Sequence, residues 1–245
     1  MKFYKVPIED REQVGGYTLL RYHWRELPIE AGQFVMARAA GQPHTFDPFL
    51  ARPLSFYDYD GEVASLLFEV RGHGTALLDK ATESIEVSAP LGRGFRIDAS
   101  GERAALLGGG IGVAPLKVLS RRLDDLGVNH DVFLGFADAA AARISTDFSG
   151  ATVTTMDGSL GTRGTVLDAA MDLESYAVVY ACGPNPMLAA VKRAAGSGGV
   201  CQLSVEERMG CGNGSCNGCV VPVRERGYVR SCVEGPVFEA EALAW

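Results

Sequence analysis

The sequence predicts a multi-domain chain of β plus α/β class. An antiparallel β-barrel is expected over residues 1–98, a doubly wound parallel sheet over 99–198 and a small cysteine-rich unit over 199–245. Three observations predict this. Short runs of strand-forming residues split by turn residues fill the first part. The period then changes to strand–helix alternation, with a glycine loop after the first strand. The last part holds four cysteines in the spacing Cys-x4-Cys-x2-Cys-x12-Cys. At 245 residues the chain exceeds one ordinary core and suits two domains with an appendage.

The first unit reads as strands at 17–22, 34–37, 63–70 and 85–88, with one short helix over 75–80 whose N-cap is Thr75. Pro43, Pro48 and Pro90 mark loops. Two pieces stand out. Arg52-Pro53-Leu54-Ser55 places a cation and a hydroxyl three residues apart, around a proline that stiffens a strand start. Gly72-His73-Gly74-Thr75 leads two glycines into a helix start, a natural place for a pyrophosphate to which Arg52 can add a charge-assisted contact. Singly, an edge-strand start and a plain turn account for them; together in one barrel they weigh toward a phosphate site.

The second unit reads as strands at 103–107, 131–136, 151–155 and 177–182, with helices over 116–126, near 164–171 and over 186–195. The loop Gly108-Gly109-Gly110-Ile111-Gly112-Val113-Ala114-Pro115 follows the first strand, where a dinucleotide phosphate meets a helix start. Gly109, Gly110 and Gly112 are its candidate contacts, and Val113 stands where a strict fingerprint has a third glycine. Cys182-Gly183-Pro184 ends a later strand at the carboxyl edge, where such sheets bind ligands, although a small buried apolar role explains Cys182 equally well. Ala137-Asp138 closes the second strand. An acid there suits a free ribose diol and repels a 2′-phosphate, so NAD is expected rather than NADP.

Cys211, Cys216 and Cys219 reproduce the plant-type ligand run of a 2Fe–2S cluster, with Cys232 as the fourth thiolate. Gly210, Gly212, Gly214 and Gly218 let the loop fold tightly with N–H groups turned toward negatively charged sulfur. A structural zinc site is the competing use of four cysteines, but zinc ribbons use two Cys-x2-Cys pairs and only Cys216/Cys219 form one. Disulfides need an oxidising compartment, to which nothing in the chain points. Cys201 reads as a packed core residue.

The net charge of −7, with no basic run, argues against nucleic acid as a partner. No apolar leader follows Met1 and no stretch approaches membrane-spanning length, so a cytoplasmic location is expected. His23, His44, His73 and His130 are scattered and read as surface or turn residues, so no conventional acid–base catalyst is expected.

These pieces, with Asp157-Gly158-Ser159-Leu160-Gly161, Glu206-Glu207-Arg208-Met209-Gly210-Cys211 and Cys232-Val233-Glu234-Gly235-Pro236-Val237-Phe238, resemble the electron-transfer subunits of class B dihydroorotate dehydrogenases. That family lies within the ferredoxin reductase-like superfamily. The resemblance implies a flavin-binding barrel, a nucleotide-binding sheet and a 2Fe–2S domain. It implies FAD held by Arg52, Pro53, Leu54 and Ser55, with Ser55 near the redox edge and Arg52 near the phosphates. Leu67, Phe68 and Glu69 would pass the flavin through backbone contacts, and Gly74 and Thr75 would hold its pyrophosphate. Relatives elsewhere in the superfamily have Tyr where this chain has Leu54, which cannot stack on the ring in the same way. The implied partner is an FMN-containing catalytic subunit that oxidises dihydroorotate to orotate, in a heterotetramer of two of each, with NAD as final acceptor. The small subunit of an NAD(P)H:ferredoxin or sulfide dehydrogenase complex would share nearly every motif. A non-catalytic redox-sensing or zinc-binding module would share the cysteines alone.

Overall fold

Alternation of buried and outward residues builds the first unit. The computed structural model describes residues 1–41, 48–97 and 103–245; Pro43, His44 and the expected boundary at 98/99 lie outside the described residues. Strands β1 (Phe3–Val14), β2 (Tyr17–His23), β3 (Phe34–Ala39), β4 (Arg52–Tyr59), β5 (Val63–Glu69) and β6 (Ser84–Ser88) close an antiparallel barrel in the order β1-β2-β5-β4-β3-β6. Leu20, Tyr22, Val35, Phe56, Leu66 and Ile85 fill it. Strand β1 adds to the sequence expectation, since Pro7 and the run Glu9-Asp10-Arg11-Glu12 hide it from any hydrophobic pattern. It pairs β6 through Phe3–Pro7 and β2 from Ile8 onward, with a shift between Ile8 and Asp10 that lets one strand turn the barrel's corner.

Helix α1 (His73–Lys80) follows β5 and starts earlier than expected. Its N-cap is Gly72, not Thr75, which sits one turn in. There the Thr75 hydroxyl accepts from the N–H of Arg71 (3.0 Å) and Gly72 (3.2 Å) and donates to the Gly72 carbonyl (3.0 Å).

The second sheet contains β7 (Ala104–Gly109), β8 (His130–Phe136), β9 (Thr152–Thr155), β10 (Thr162–Arg163), β11 (Val178–Cys182) and β12 (Val200–Ser204). Hairpin β13 (Val220–Val223)–β14 (Gly227–Arg230) stands apart, and β15 (Val237–Glu239) returns to the sheet. The order is β10-β9-β8-β7-β11-β12-β15, parallel throughout except for β15 against β12. The last two strands on one side of the sheet, β12 and the edge strand β15, thus come from beyond residue 198.

Helix α2 (Ala114–Asp125) covers one face, its Leu116, Leu119 and Leu123 packing with Tyr17 and Tyr57 of the barrel. Helix α3 (Asn185–Ala194) covers the other through Leu188 and Val191. The helix expected near 164–171 is a single 3-10 turn, Val166–Asp168. Gly164 sits at φ +139°, and Asp168 accepts from the Thr165 N–H (2.6 Å) and hydroxyl (2.8 Å), which closes the turn after one cycle.

The barrel and the sheet are joined by polar contacts as well as by this core. A shift in β4 between Phe56 and Asp58 leaves Phe56 in the barrel while Tyr57 and Asp58 both meet the second unit. Tyr57 donates to Asp147 (2.7 Å), and Arg121 of α2 grips both Asp58 oxygens (2.7 and 2.5 Å). Among the described residues no helix is long and apolar enough to cross a membrane.

Candidate functional site

A cavity of about 240 Å³ opens where the barrel, the start of α2 and the chain leaving β12 meet. Arg52, Pro53, Leu54 and Ser55 of β4, Leu67, Phe68 and Glu69 of β5, and Thr75 of α1 all line it. The sequence expectation grouped these residues, and the barrel brings them to one wall. Other lining residues were not assigned to this cavity from the sequence: Phe34, Arg71, Ile111, Ala114, the segment from Ser204 to Glu207, Met209 and Pro236. Each reaches the cavity by long-range packing. Ile111 and Ala114 from the start of α2, with Val205 and Met209, give it apolar walls beyond Leu54.

Where Arg52 meets α1, Gly74 is buried, and a Cβ there would lie 2.7 Å from Cζ and Nη2 of Arg52. The guanidinium therefore rests on bare backbone at the start of α1. The same side chain donates to the Leu50 carbonyl at 2.6 Å, which fixes its direction. A fixed cation beside the first turn of a helix fits a diphosphate. The Thr75 hydroxyl is fully occupied within its own turn, so Thr75 can offer an anion only its backbone N–H. Arg71 is tied to Glu69 by a short ion pair, and that hydrogen bond holds its guanidinium above its ordinary pKa.

Glu206 lines the same cavity and is accessible there, while protein crowds its other sides. Burial raises its carboxyl pKa; Arg71 opposes the rise and Glu69 adds to it. Cys182 lies behind this wall, fully buried beside Ser204 in the paired strands, its thiol pushed up by burial and then by the Glu206 charge.

The glycine loop and the Cys182-Gly183-Pro184 turn meet backbone to backbone. A Cβ on Gly112 would lie 2.6 Å from the Cys182 carbonyl carbon and from the Gly183 nitrogen, and one on Gly109 3.2 Å from Pro184 Cδ. Gly110, at φ +55°, faces open space instead. Val113, which breaks the strict fingerprint, is fully buried, and it is Gly108 that makes room for it, since a Cβ there would stand 2.9 Å from Val113 Cγ1. The loop keeps its close approach with the bulk on the opposite side. On the neighbouring parallel strand Asp138 accepts from the Ala141 N–H (2.9 Å), which fixes its carboxylate just past the carboxyl end of β8.

The cysteine loop packs on the outer face of β3. Phe34 and Met36 point out of the barrel and share an apolar cluster with Cys219 and Cys232. Gly212, at φ +68°, is bare because a Cβ would come within 2.6 Å of Met36 Cγ. The four thiols form two pairs. Cys211 accepts from the Cys216 N–H at 3.4 Å, and Cys219 is hydrogen-bonded to Cys232. Cys216 accepts in turn from the Gly218 N–H at 3.4 Å. Burial works against the Cys211 thiolate, yet N–H groups of Asn213, Cys216 and Ser215 outweigh it and bring that thiol down to about 6. Cys232 is pushed up to about 12 by burial and then by Cys219. Backbone donors aimed at sulfur fit ligands that carry negative charge. Among the described residues no three His, Cys, Asp or Glu side chains close on a single ion position.

His130 departs from the expected surface role. It is nearly buried, with Nε2 2.8 Å from the Ser120 hydroxyl and Nδ1 3.1 Å from the Val128 carbonyl, and it ties α2 to β8. Cys201 is buried in the core as expected.

Comparison with known proteins places these features. The family model for the iron–sulfur cluster binding domain of dihydroorotate dehydrogenase B matches residues 206–244. The electron transfer subunit of dihydroorotate dehydrogenase B (NAD(+)) from Geobacillus sp. (strain WCH70) is 42% identical over 234 residues, 91% of this chain and 90% of its own. Its counterpart from Geobacillus thermodenitrificans (strain NG80-2) is 44% identical over 223 residues, 86% and 85% of the two chains. Among solved structures, a chain of an NADH-dependent reduced ferredoxin–NADP oxidoreductase superposes with a TM-score of 0.83 at 25% identity, over 98% of this chain and 90% of that one. Phthalate dioxygenase reductase shares the fold at a TM-score of 0.67 and 17% identity, over 98% and 96%.

Proposed function

Because the chain belongs to the family of electron-transfer subunits of NAD-dependent dihydroorotate dehydrogenase B, we propose that its cavity holds FAD, its cysteine loop a 2Fe–2S cluster and its glycine loop NAD. Arg52 and the first N–H groups of α1, those of Gly74 and Thr75 included, take the diphosphate. Residues Pro53 to Ser55 and Leu67 to Glu69 orient the ring system along the cavity wall. Cys211, Cys216, Cys219 and Cys232 are the cluster ligands. Gly109, Gly110 and Gly112, with Cys182, Gly183 and Pro184, receive the dinucleotide, and Asp138 favours its free ribose. When bound, the flavin joins one-electron exchange with the cluster to two-electron exchange with the nicotinamide.

The observation that carries this reading is a shared wall. Phe34 and Met209 line the cavity and also pack in the apolar cluster that contains Cys219 and Cys232. One layer of side chains therefore lies between the two sites. A subunit of this kind works with a catalytic subunit; we take that partner to carry FMN, to oxidise dihydroorotate to orotate, and to assemble two-and-two in the cytoplasm.

Anaerobic purification with the co-expressed partner tests the reading. Expected are one FAD, two irons and two sulfides per copy of this chain, beside the partner's FMN, and bleaching of the FAD by dihydroorotate. Colourless protein, or zinc in place of iron, overturns it. The overlay on the ferredoxin–NADP oxidoreductase chain supports a second reading as a subunit of an NAD(P)H:ferredoxin complex. Reduction by NADPH as fast as by NADH, with no response to dihydroorotate, would favour that alternative.

A further inference from the structure

The four cysteines are not equivalent with respect to the cavity. Cys219 and Cys232 are buried and share an apolar cluster with Phe34 and Met209, which line the cavity, whereas Cys216 is exposed and Cys211 half-buried. Electrons moving between cluster and flavin therefore cross on the side of Cys219 and Cys232. Electron tunnelling weakens steeply with the gap it spans, so whatever holds this inner pair against the cavity wall sets the rate of crossing.

One residue is bonded to both inner cysteines and to the wall. Ser231 follows directly on β14, is fully buried, and its own peptide continues into Cys232. Its N–H donates to the Cys219 carbonyl at 2.8 Å, and its hydroxyl donates to the Val205 carbonyl at 3.0 Å. Val205 follows directly on β12, is itself fully buried and lines the cavity. The Val205 N–H in turn donates to the carbonyl of Pro236, another lining residue, at 2.8 Å. Burying a hydroxyl is costly unless it is hydrogen-bonded, and here the bond it makes spans the space between the two sites. The other links are looser. Phe34 and Met209 meet the cysteines through apolar packing, which fixes no direction. The chain from Met209 passes through Gly210, the residue type most free to turn, and reaches Cys211, an outer ligand.

We propose that Ser231 is a positioning residue: it pins Cys219 and Cys232 to the cavity wall at Val205 and so sets the rate at which electrons pass between cluster and flavin. This role presupposes the flavin and cluster reading above. Each crossing moves one electron, and no bond forms or breaks. With dihydroorotate as the reductant, two crossings bring the pair that NAD⁺ takes up with one proton from solvent. Without the hydroxyl the loop keeps all its thiolates but is tied to the wall by packing alone.

The test uses the complex with its partner, as wild type, S231A and S231T, mixed with NADH so that electrons run from FAD toward the cluster. The fast phase of flavin bleaching reads the NADH step, and freeze-quench EPR of the reduced cluster reads the crossing. In S231A, with full FAD and iron content, bleaching is expected at the wild-type rate. The cluster signal should rise about tenfold or more slowly, the scale on which a group behind a metal ligand acts. S231T keeps the hydroxyl and should restore it. The cluster's midpoint potential should be unchanged in both variants; a shift large enough to explain the slowing overturns the proposal. A cluster signal that rises as fast in S231A as in wild type also overturns it and leaves the parent reading intact. So does an equal slowing of both steps, which would mean that the wall has moved rather than the loop. Should S231A lose its cluster, S231T decides: full iron content with wild-type crossing supports the proposal, and anything less overturns it. Wild type that holds no FAD or no cluster overturns both.

Discussion

Arg52 and Gly74 make one unit, because the guanidinium occupies the space a Cβ on Gly74 would fill. G74A therefore acts on the proposed phosphate end by displacing the Arg52 guanidinium, without removing any polar group. The fold should survive and flavin content after purification should fall several-fold, read as the ratio of flavin to protein absorbance; full flavin content would contradict the role given to Arg52. The Arg230–Glu234 pair braces the cysteine loop in a similar way. Arg230 donates to Glu234 at 2.6 Å and to the Gly214 carbonyl at 3.2 Å, and it holds the Glu234 carboxyl down to about 2. A depressed carboxylate contributes stability that is fully present above its unfolded pKa of about 4.5 and is lost as pH falls toward 2. The gap in melting temperature between wild type and E234Q should thus be constant near pH 7, shrink below about pH 4.5, and narrow in salt because the pair is partly exposed.

Strand β3 does two jobs by alternation. Val35 and Ala37 face the barrel core while Phe34 and Met36 face the cysteine loop. Met36 is 2% exposed, so M36A should cost about 2–5 kcal/mol, with slower cluster assembly as well as a lower melting temperature. An assembly rate equal to wild type would mean that the loop does not depend on this strand. The same element marks what sequence could and could not reveal. The run from Cys211 to Cys219, the glycine loop and the Arg52–Ser55 stretch are legible because each puts its chemistry within a few consecutive residues. Phe34 and Glu206 are not, for they reach the cavity only after β3 and β12 are in place. Strand β1 leaves no pattern because its charges and Pro7 mask any period, and the stretch around Val166–Asp168 has a helix's composition that Gly164 and Asp168 close after one turn.

At the scale of the molecule, barrel and sheet share a core and are fixed by Arg121–Asp58 and Tyr57–Asp147. The ion pair is partly exposed, so D58N should cost about 1 kcal/mol, a fall in melting temperature of about 2–4 °C for a chain of this size. If the interface is rigid as described, D58N should also leave a single cooperative transition; two separated transitions would mean that the halves unfold independently. The two outermost strands on one side of the sheet, β12 and β15, carry a further consequence. The redox appendage is stitched into the platform beside it, because the chain crosses that platform once on the way out and once on the way back. It is no detachable cartridge. A chain ended at residue 198 would bare the flank of β11, so recombination could exchange this module between proteins only by carrying its neighbour along.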